Sequence, residues 1–264
     1  MFGTGPAVHS VSMGDVLTER NRVKGREPAS RIPDHRSPGR RRRDHLGAAA
    51  GMVVAAALVA DLCTLAPAPT MGAPAPQIAD FVHRNATLTA TMSLIGAAAA
   101  MLLLPFVASL RTFVHGRSET DEWRWTMTIL AGAVTVSVLL VASALRGAAA
   151  VLAQHGADAA VVAATFDVAK VAFTFALLPT AALVLANARA VAVSNSPAAW
   201  LVRVGVPIGL VGMVAVGAVL FGAHSWLGPG ETVVAAMGIL LSMWLAAVST
   251  VMWRGEDAWA GVAT

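Results

Sequence analysis

Residues 40–65 read RRRRDHLGAAAGMVVAAALVADLCTL, and the fold turns on how this stretch is understood. Four arginines stop at a run, Leu46 to Leu65, that carries one charge, Asp61. As a helix rising 1.5 Å per residue, such a run crosses roughly 30 Å of hydrocarbon. Lipid offers no partner to an unpaired backbone N–H or C=O, so the run must bond along its own axis, as a helix. Arg40, Arg41, Arg42 and Arg43 then lie at the headgroups, each drawn to anionic lipid by roughly 1 kcal/mol.

Five further runs of this kind follow: Leu88 to Leu110, Thr126 to Leu145, Val168 to Ala188, Val204 to Gly222 and Val233 to Met252. None alternates apolar and polar residues as a barrel strand does. The expected fold is all-α, a polytopic membrane helix bundle of six transmembrane helices. Trp123, Trp125, Trp200, Trp226 and Trp253 flank the runs, where interfacial indoles anchor spans. Pro105, Pro179 and Pro207 fall inside runs, where membrane helices tolerate a kink.

Composition agrees. Of 264 residues 56% are apolar and 13% charged, against about a quarter charged in a soluble domain. Ten of the nineteen Lys and Arg precede Asp44, so the basic excess describes a tail and not a nucleic-acid-binding surface. Residues 1–45, rich in Arg, Pro, Gly and Ser without apolar periodicity, form an expected disordered cytoplasmic tail. Residues 255–264 form a short cytoplasmic C-terminus. Cys63 is the only cysteine, which excludes an intrachain disulfide and a Cys-rich metal site.

Positive residues orient the bundle. The tail, Arg111, Arg117, Arg124, Arg189, Arg203 and Arg254 share one side, against Arg84, Arg146 and Lys170 on the other. The expected topology is N-in/C-in in the plasma membrane. A rival reading takes the first run as a secretory signal cleaved near Ala66 to Ala68, leaving five spans; the run is as long as a full span and its n-region is far too long. Between the first two runs, Pro67, Pro69, Pro74 and Pro76 stiffen an external loop. Gln77 to Arg84 then suits a short interfacial helix with Ile78, Phe81 and Val82 facing down. Asn85-Ala86-Thr87 fits a glycosylation sequon, but Asn85 or Thr87 serves equally as a helix cap.

Soluble-enzyme motifs are absent: no phosphate-cradling glycine loop, no Gly-x-Ser-x-Gly and no His-Glu-x-x-His. No cofactor, catalytic residue or metal ligand is therefore assigned. Ionisable residues inside runs are expensive in lipid and mark candidate sites. Counted from the inner ends at 1.5 Å per residue, Arg146 and Asp167 share a level at roughly 30 Å, Lys170 lies about a turn deeper, and Asp61 lies near roughly 24 Å. These four are expected as a charge-balanced cluster in the outer third. The plainer reading, which carries more weight, pairs Asp167 with Lys170 at i, i+3, sends Arg146 and Lys170 to the headgroups and leaves Asp61 to hydrogen-bond a neighbour. Gly47 with Gly51 and Gly205 with Gly209 have the spacing that lets helix backbones approach, a weak signal in so Ala-rich a chain.

Asp80-Phe81 and Asn85 precede the second run, and Phe106 with Leu110-Arg111 closes it. Asp167, Phe175 and Pro179 mark the fourth, Trp200-Leu201 enters the fifth, and Trp244 with Trp253-Arg254 lies in the sixth. In this order the chain resembles a broad group of uncharacterised actinobacterial integral membrane proteins with domains of unknown function. The resemblance covers most of residues 46–254 and implies a six-span plasma-membrane protein from a high-GC bacterium. It implies no activity and no catalytic residue.

Three function classes remain. A membrane-embedded scaffold or assembly protein, whose partners are the bilayer, anionic headgroups and either further copies of itself or another membrane protein, is favoured by the missing motifs. A small transporter or channel subunit would use the outer polar cluster. A membrane enzyme would need interfacial carboxylates, and Glu119, Asp121 and Glu122 are its one candidate, better read as solvating a loop.

Overall fold

The computed structural model describes residues 38–115, 122–192, 199–221 and 230–254. Gly39–Thr264 forms one compact unit. The tail before Pro38, the C-terminus after Arg254, and Glu119 and Asp121 lie outside the described residues. So do the side chains of Arg40–Arg43, Glu122, Trp200 and Trp226 on which headgroup, acidic or anchoring roles were placed. Among the described residues every regular element is an α-helix: α1 (Pro38–Leu65), α2 (Ala75–Arg84), α3 (Ala86–His115), α4 (Glu122–Gln154), α5 (Ala159–Phe175), α6 (Leu177–Ala192), α7 (Ala199–Phe221) and α8 (Gly230–Arg254).

Five stretches are long and apolar enough to cross a membrane: Asp44–Thr64, Ala86–Arg111, Trp125–Gln154, Ala159–Ala186 and Val233–Arg254. Their outward faces carry Leu94, Val141 and Met243, each more than half exposed. Such rows of bare aliphatic surface suit lipid and not water. In α7 the described apolar stretch is shorter, Val204–Val214.

Helix ends differ from the sequence reading in ways that move the polar residues. The helix α1 starts at Pro38, a residue suited to a first turn because its missing N–H has no partner there anyway. Residues 38–45, expected in the tail, therefore continue the first span as helix. The third run was expected to stop at Leu145, but α4 continues to Gln154. Arg146 interrupts the hydropathy without interrupting the helix, since Gly147-Ala-Ala-Ala-Val-Leu-Ala is mostly helix-favouring. The fourth run, expected from Val168, starts at Ala159. Asp158 caps it, its Oδ1 accepting the Ala160 N–H at 2.7 Å. Asp158→Ala should lower stability by about 1 kcal/mol, the usual loss for such a cap, checked by thermal unfolding in detergent beside Asp158→Asn, which retains the acceptor. Between α5 and α6 the helix breaks at Ala176, one turn before Pro179, whose nitrogen cannot donate to Phe175.

The helix α2 turns its apolar stripe onto the bundle. Ile78 and Val82 are fully buried, packed with Ala149, Ala153, Val162, Ala163 and Phe166 at the adjoining ends of α4 and α5. His83 Nδ1–H donates to the Ala153 carbonyl at 3.1 Å, and Arg84 pairs with Asp80 on the solvent side. Asn85 ends α2, donating through Nδ2 to the Phe81 carbonyl at 2.9 Å, and also opens α3, its own carbonyl accepting the Thr89 N–H at 2.8 Å.

The main core holds Phe106, Leu103, Leu183, Val184, Leu245 and Trp244. Trp125 joins it at 3% exposure, so this indole packs inward and is not the interfacial anchor expected. Trp123 and Trp253 remain more than half exposed. Neighbouring pairs are α3 with α4, α4 with α5 and α6, α6 with α7, and α7 with α8. The helix α1 lies close against α3 and α8: a Cβ on Gly47 would strike Ser109, and one on Gly51 would strike Phe106 and Ser249. Across the bundle, a Cβ on Gly209 would come within 2.8 Å of Leu185 on α6.

Candidate functional site

With α2 capping its end, the bundle places Asp61 and Arg146 inside the protein. Asp61 lies one turn before the end of α1, where Thr64 Oγ1 donates to its carbonyl at 2.8 Å. Arg146 projects from α4 two turns before that helix ends, and its Nη1 donates to Asp61 Oδ1 at 2.5 Å. Both side chains are only 10% exposed. Arg146 Nε also donates to Ser93 Oγ on α3 at 3.4 Å. Gly96 and Gly147 lie beside this pair at ordinary contact distance: a Cβ on Gly96 would lie 3.6 Å from Arg146 Nη2, and one on Gly147 would lie 3.5 Å from Ser93. One ion pair thus ties three helices together.

Asp167 and Lys170, the other two members of the expected cluster, hold the loop between α1 and α2. Lys170 Nζ donates to the Pro69 carbonyl at 2.5 Å and lies 5.4 Å from the centre of the Phe166 ring, close enough for a cation–π attraction. Asp167 Oδ2 accepts the Gly72 N–H at 3.3 Å, while its Oδ1 is buried without a hydrogen-bond partner. Gly72 has φ +76°, a left-handed turn that glycine adopts at no steric cost. Two charged side chains on adjacent turns of α5 therefore fasten a proline-stiffened strap across the end of α1.

Beneath that strap lies a cavity of about 500 Å³. Asp61, Arg146, Lys170, Thr70 and Met71 line it toward the strap, with Val234 of the antiparallel α8 near the level of Leu62, and Val54, Leu58, Ala100, Leu103 and Leu139 line its deeper part. Walls come from α1, α3, α4, α5 and α8. Asp167 binds the strap from outside this lining. The cavity's charged side chains lie toward the strap, among Leu62, Phe166 and Val234, and its deeper lining is mainly aliphatic.

Sequence reasoning named the four charges but missed Ser93, Ser143, Phe166 and the strap residues. A signal was present for some of them: Ser93 and Gly96 on α3, and Ser143, Arg146 and Gly147 on α4, recur at helical spacing and so mark facing small-polar stripes. The strap contacts leave no such trace, because Pro69 and Gly72 engage through backbone atoms that every residue has. Among the described residues, no group of three or more His, Cys, Asp or Glu converges on a metal-sized site. Cys63 is exposed, and His155 is spent on the Val151 carbonyl of its own helix. Comparison with protein-family models, with curated proteins and with solved structures finds no match to this chain.

Proposed function

We propose that this is a multi-pass cell-membrane protein with six spans and both termini in the cytoplasm, which receives a small molecule within its helix bundle. The cavity carries this reading. Helix interiors normally close to the density of organic crystals, whereas about 500 Å³ stays open here, a volume typical of small-molecule sites. The scaffold reading, preferred while only the missing motifs were in view, gives way to that of a carrier or ligand-binding membrane protein. The sixth span in this reading is α7, whose 23 residues extend about 35 Å. The orientation rests on the distribution of Lys and Arg.

The test uses purified protein in nanodiscs of zwitterionic lipid, exposed to a graded set of small solutes and amphiphiles. Ala142 lines the cavity and is buried, so Ala142→Phe fills the space from its wall. The expected result is saturable thermal stabilisation by at least one compound, lost in Ala142→Phe. Stabilisation indifferent to that substitution, or none at all, would return the protein to the scaffold class. A cytoplasmic-only reporter fused after Thr264 should be active; activity of an external-only reporter overturns the topology.

A further inference from the structure

The cavity's two ends differ in chemistry, and Arg146 and Lys170 both line it. Resting on the reading of this space as a ligand site, we infer that its ligand is a single-chain anionic amphiphile. A carboxylate or phosphate head lies between Lys170 and Arg146, and an alkyl chain runs down toward Leu58, Leu103 and Leu139.

Three observations carry this. The first is the arrangement of the lining, with Arg146, Lys170 and Asp61 toward the strap and aliphatic side chains below. A uniformly polar solute would leave the deep half unsolvated, and a plain hydrocarbon would offer no acceptor to the donors at the strap end. The second concerns Arg146. Its Nη1 serves Asp61 and its Nε serves Ser93, while Nη2 lies beside Gly96 in the cavity wall. Guanidinium has five donors in a fixed fork, so the Asp61 bond orients Arg146 while leaving N–H groups on Nη2 for a second acceptor.

The third is what Lys170 holds. Among its partners is the neutral Pro69 carbonyl, and a bond from an ammonium to an anionic oxygen is roughly twice as strong as one between neutral groups. An anionic head offers Lys170 a better acceptor than Pro69 does. The exchange frees Pro69, while Asp167 keeps its bond to Gly72. Binding the head and loosening the strap are then one event, which gives a chain access to the cavity from the α2 end. A cationic head meets the opposite situation, because Asp61 is already engaged by Arg146.

The experiment compares four probes on the full chain in zwitterionic nanodiscs: decanoate, decanol, decyltrimethylammonium and acetate, with affinity read from thermal shift against concentration. Decanoate should bind at least tenfold tighter than decanol or decyltrimethylammonium, and acetate should not saturate. Lys170→Gln should remove the preference for decanoate while decanol binding stays as in the wild type, which also shows that the variant is folded. Lys170→Arg should keep the preference. Equal binding of decanoate and decanol, both blocked by Ala142→Phe, would overturn the anionic head and leave the ligand cavity standing. Acetate binding as tightly as decanoate would overturn the chain. Absence of saturable binding by every probe would overturn this inference, and absence of any hit in the wider set above would overturn the cavity reading itself.

Discussion

Replacing Asp61 with Ala should lower stability by about 3–5 kcal/mol, the range found when one member of a buried ion pair is removed and the other stays behind. Arg146 is the reason. Its side chain is 10% exposed, two turns inside α4 and beneath α2, so it cannot reach the headgroups as a lysine or arginine at a helix end does. Left alone it must drag in water, distort α1 or remain charged without a partner, each of which is expensive in an apolar bundle. At about 2–4 °C per kcal/mol for a chain near this size, the thermal midpoint should fall by more than about 6 °C. Removing both charges is a different perturbation: Asp61→Leu with Arg146→Leu should lie within about 1 kcal/mol of the wild type or above it. Midpoints of the single, reciprocal and double variants in one detergent decide the matter. A single Asp61→Ala variant as stable as the wild type would show that the pair does not lock α1 to α4.

Gly51→Val should prevent α1 from docking. A Cβ at this position would overlap the Ser249 hydroxyl and come 2.5 Å from Cδ2 of the Phe106 ring. Phe106 is fully buried and Ser249 is 0% exposed, so neither can swing aside. Overpacking a well-filled core costs about 1–3 kcal/mol per modest enlargement, which is the expectation for Gly51→Ala. The two further methyls of valine force the helix axes apart along their length, and the expected outcome is loss of the monodisperse peak in size-exclusion chromatography. Gly217 supplies the control, since a Cβ there meets nothing within 4 Å. Gly217→Ala should be neutral or stabilising by up to about 1 kcal/mol, the helix-propensity difference. Equal behaviour of Gly51→Val and Gly217→Ala would mean that the close approach of α1 to α3 and α8 is not needed for folding.

The helical runs were legible because hydrocarbon imposes one rule on every residue it surrounds, and a rule applied twenty residues at a time leaves a long trace. Boundaries were less legible where a charge lay within a helix. Arg146 reads as the end of a span only if it is assumed to seek water, and Asp61 removes that need from 85 residues away in sequence. The amphipathic segment at Gln77 to Arg84 was recognisable as a helix, but its apolar stripe fits a lipid interface or a protein surface equally well. The surface formed by Ala149, Ala153, Val162 and Phe166 exists only after α4 and α5 have met. Trp125 was misplaced for a related reason: an indole near a helix end suits the interface or the core, and only its neighbours choose.

What the sequence by itself determined is the helical, apolar character of the bundle, the spacing of Gly47 and Gly51, and the four charges that lipid makes costly. Tertiary structure alone decided which of those charges meet. It joined Asp61 to Arg146 across α1 and α4, turned Lys170 and Asp167 to the backbone of a strap, and left an amphiphilic cavity beneath it. The physical reason is that burial in lipid depends on a residue's own chemistry, whereas a charge partner and an unfilled volume depend on side chains from helices distant in the chain.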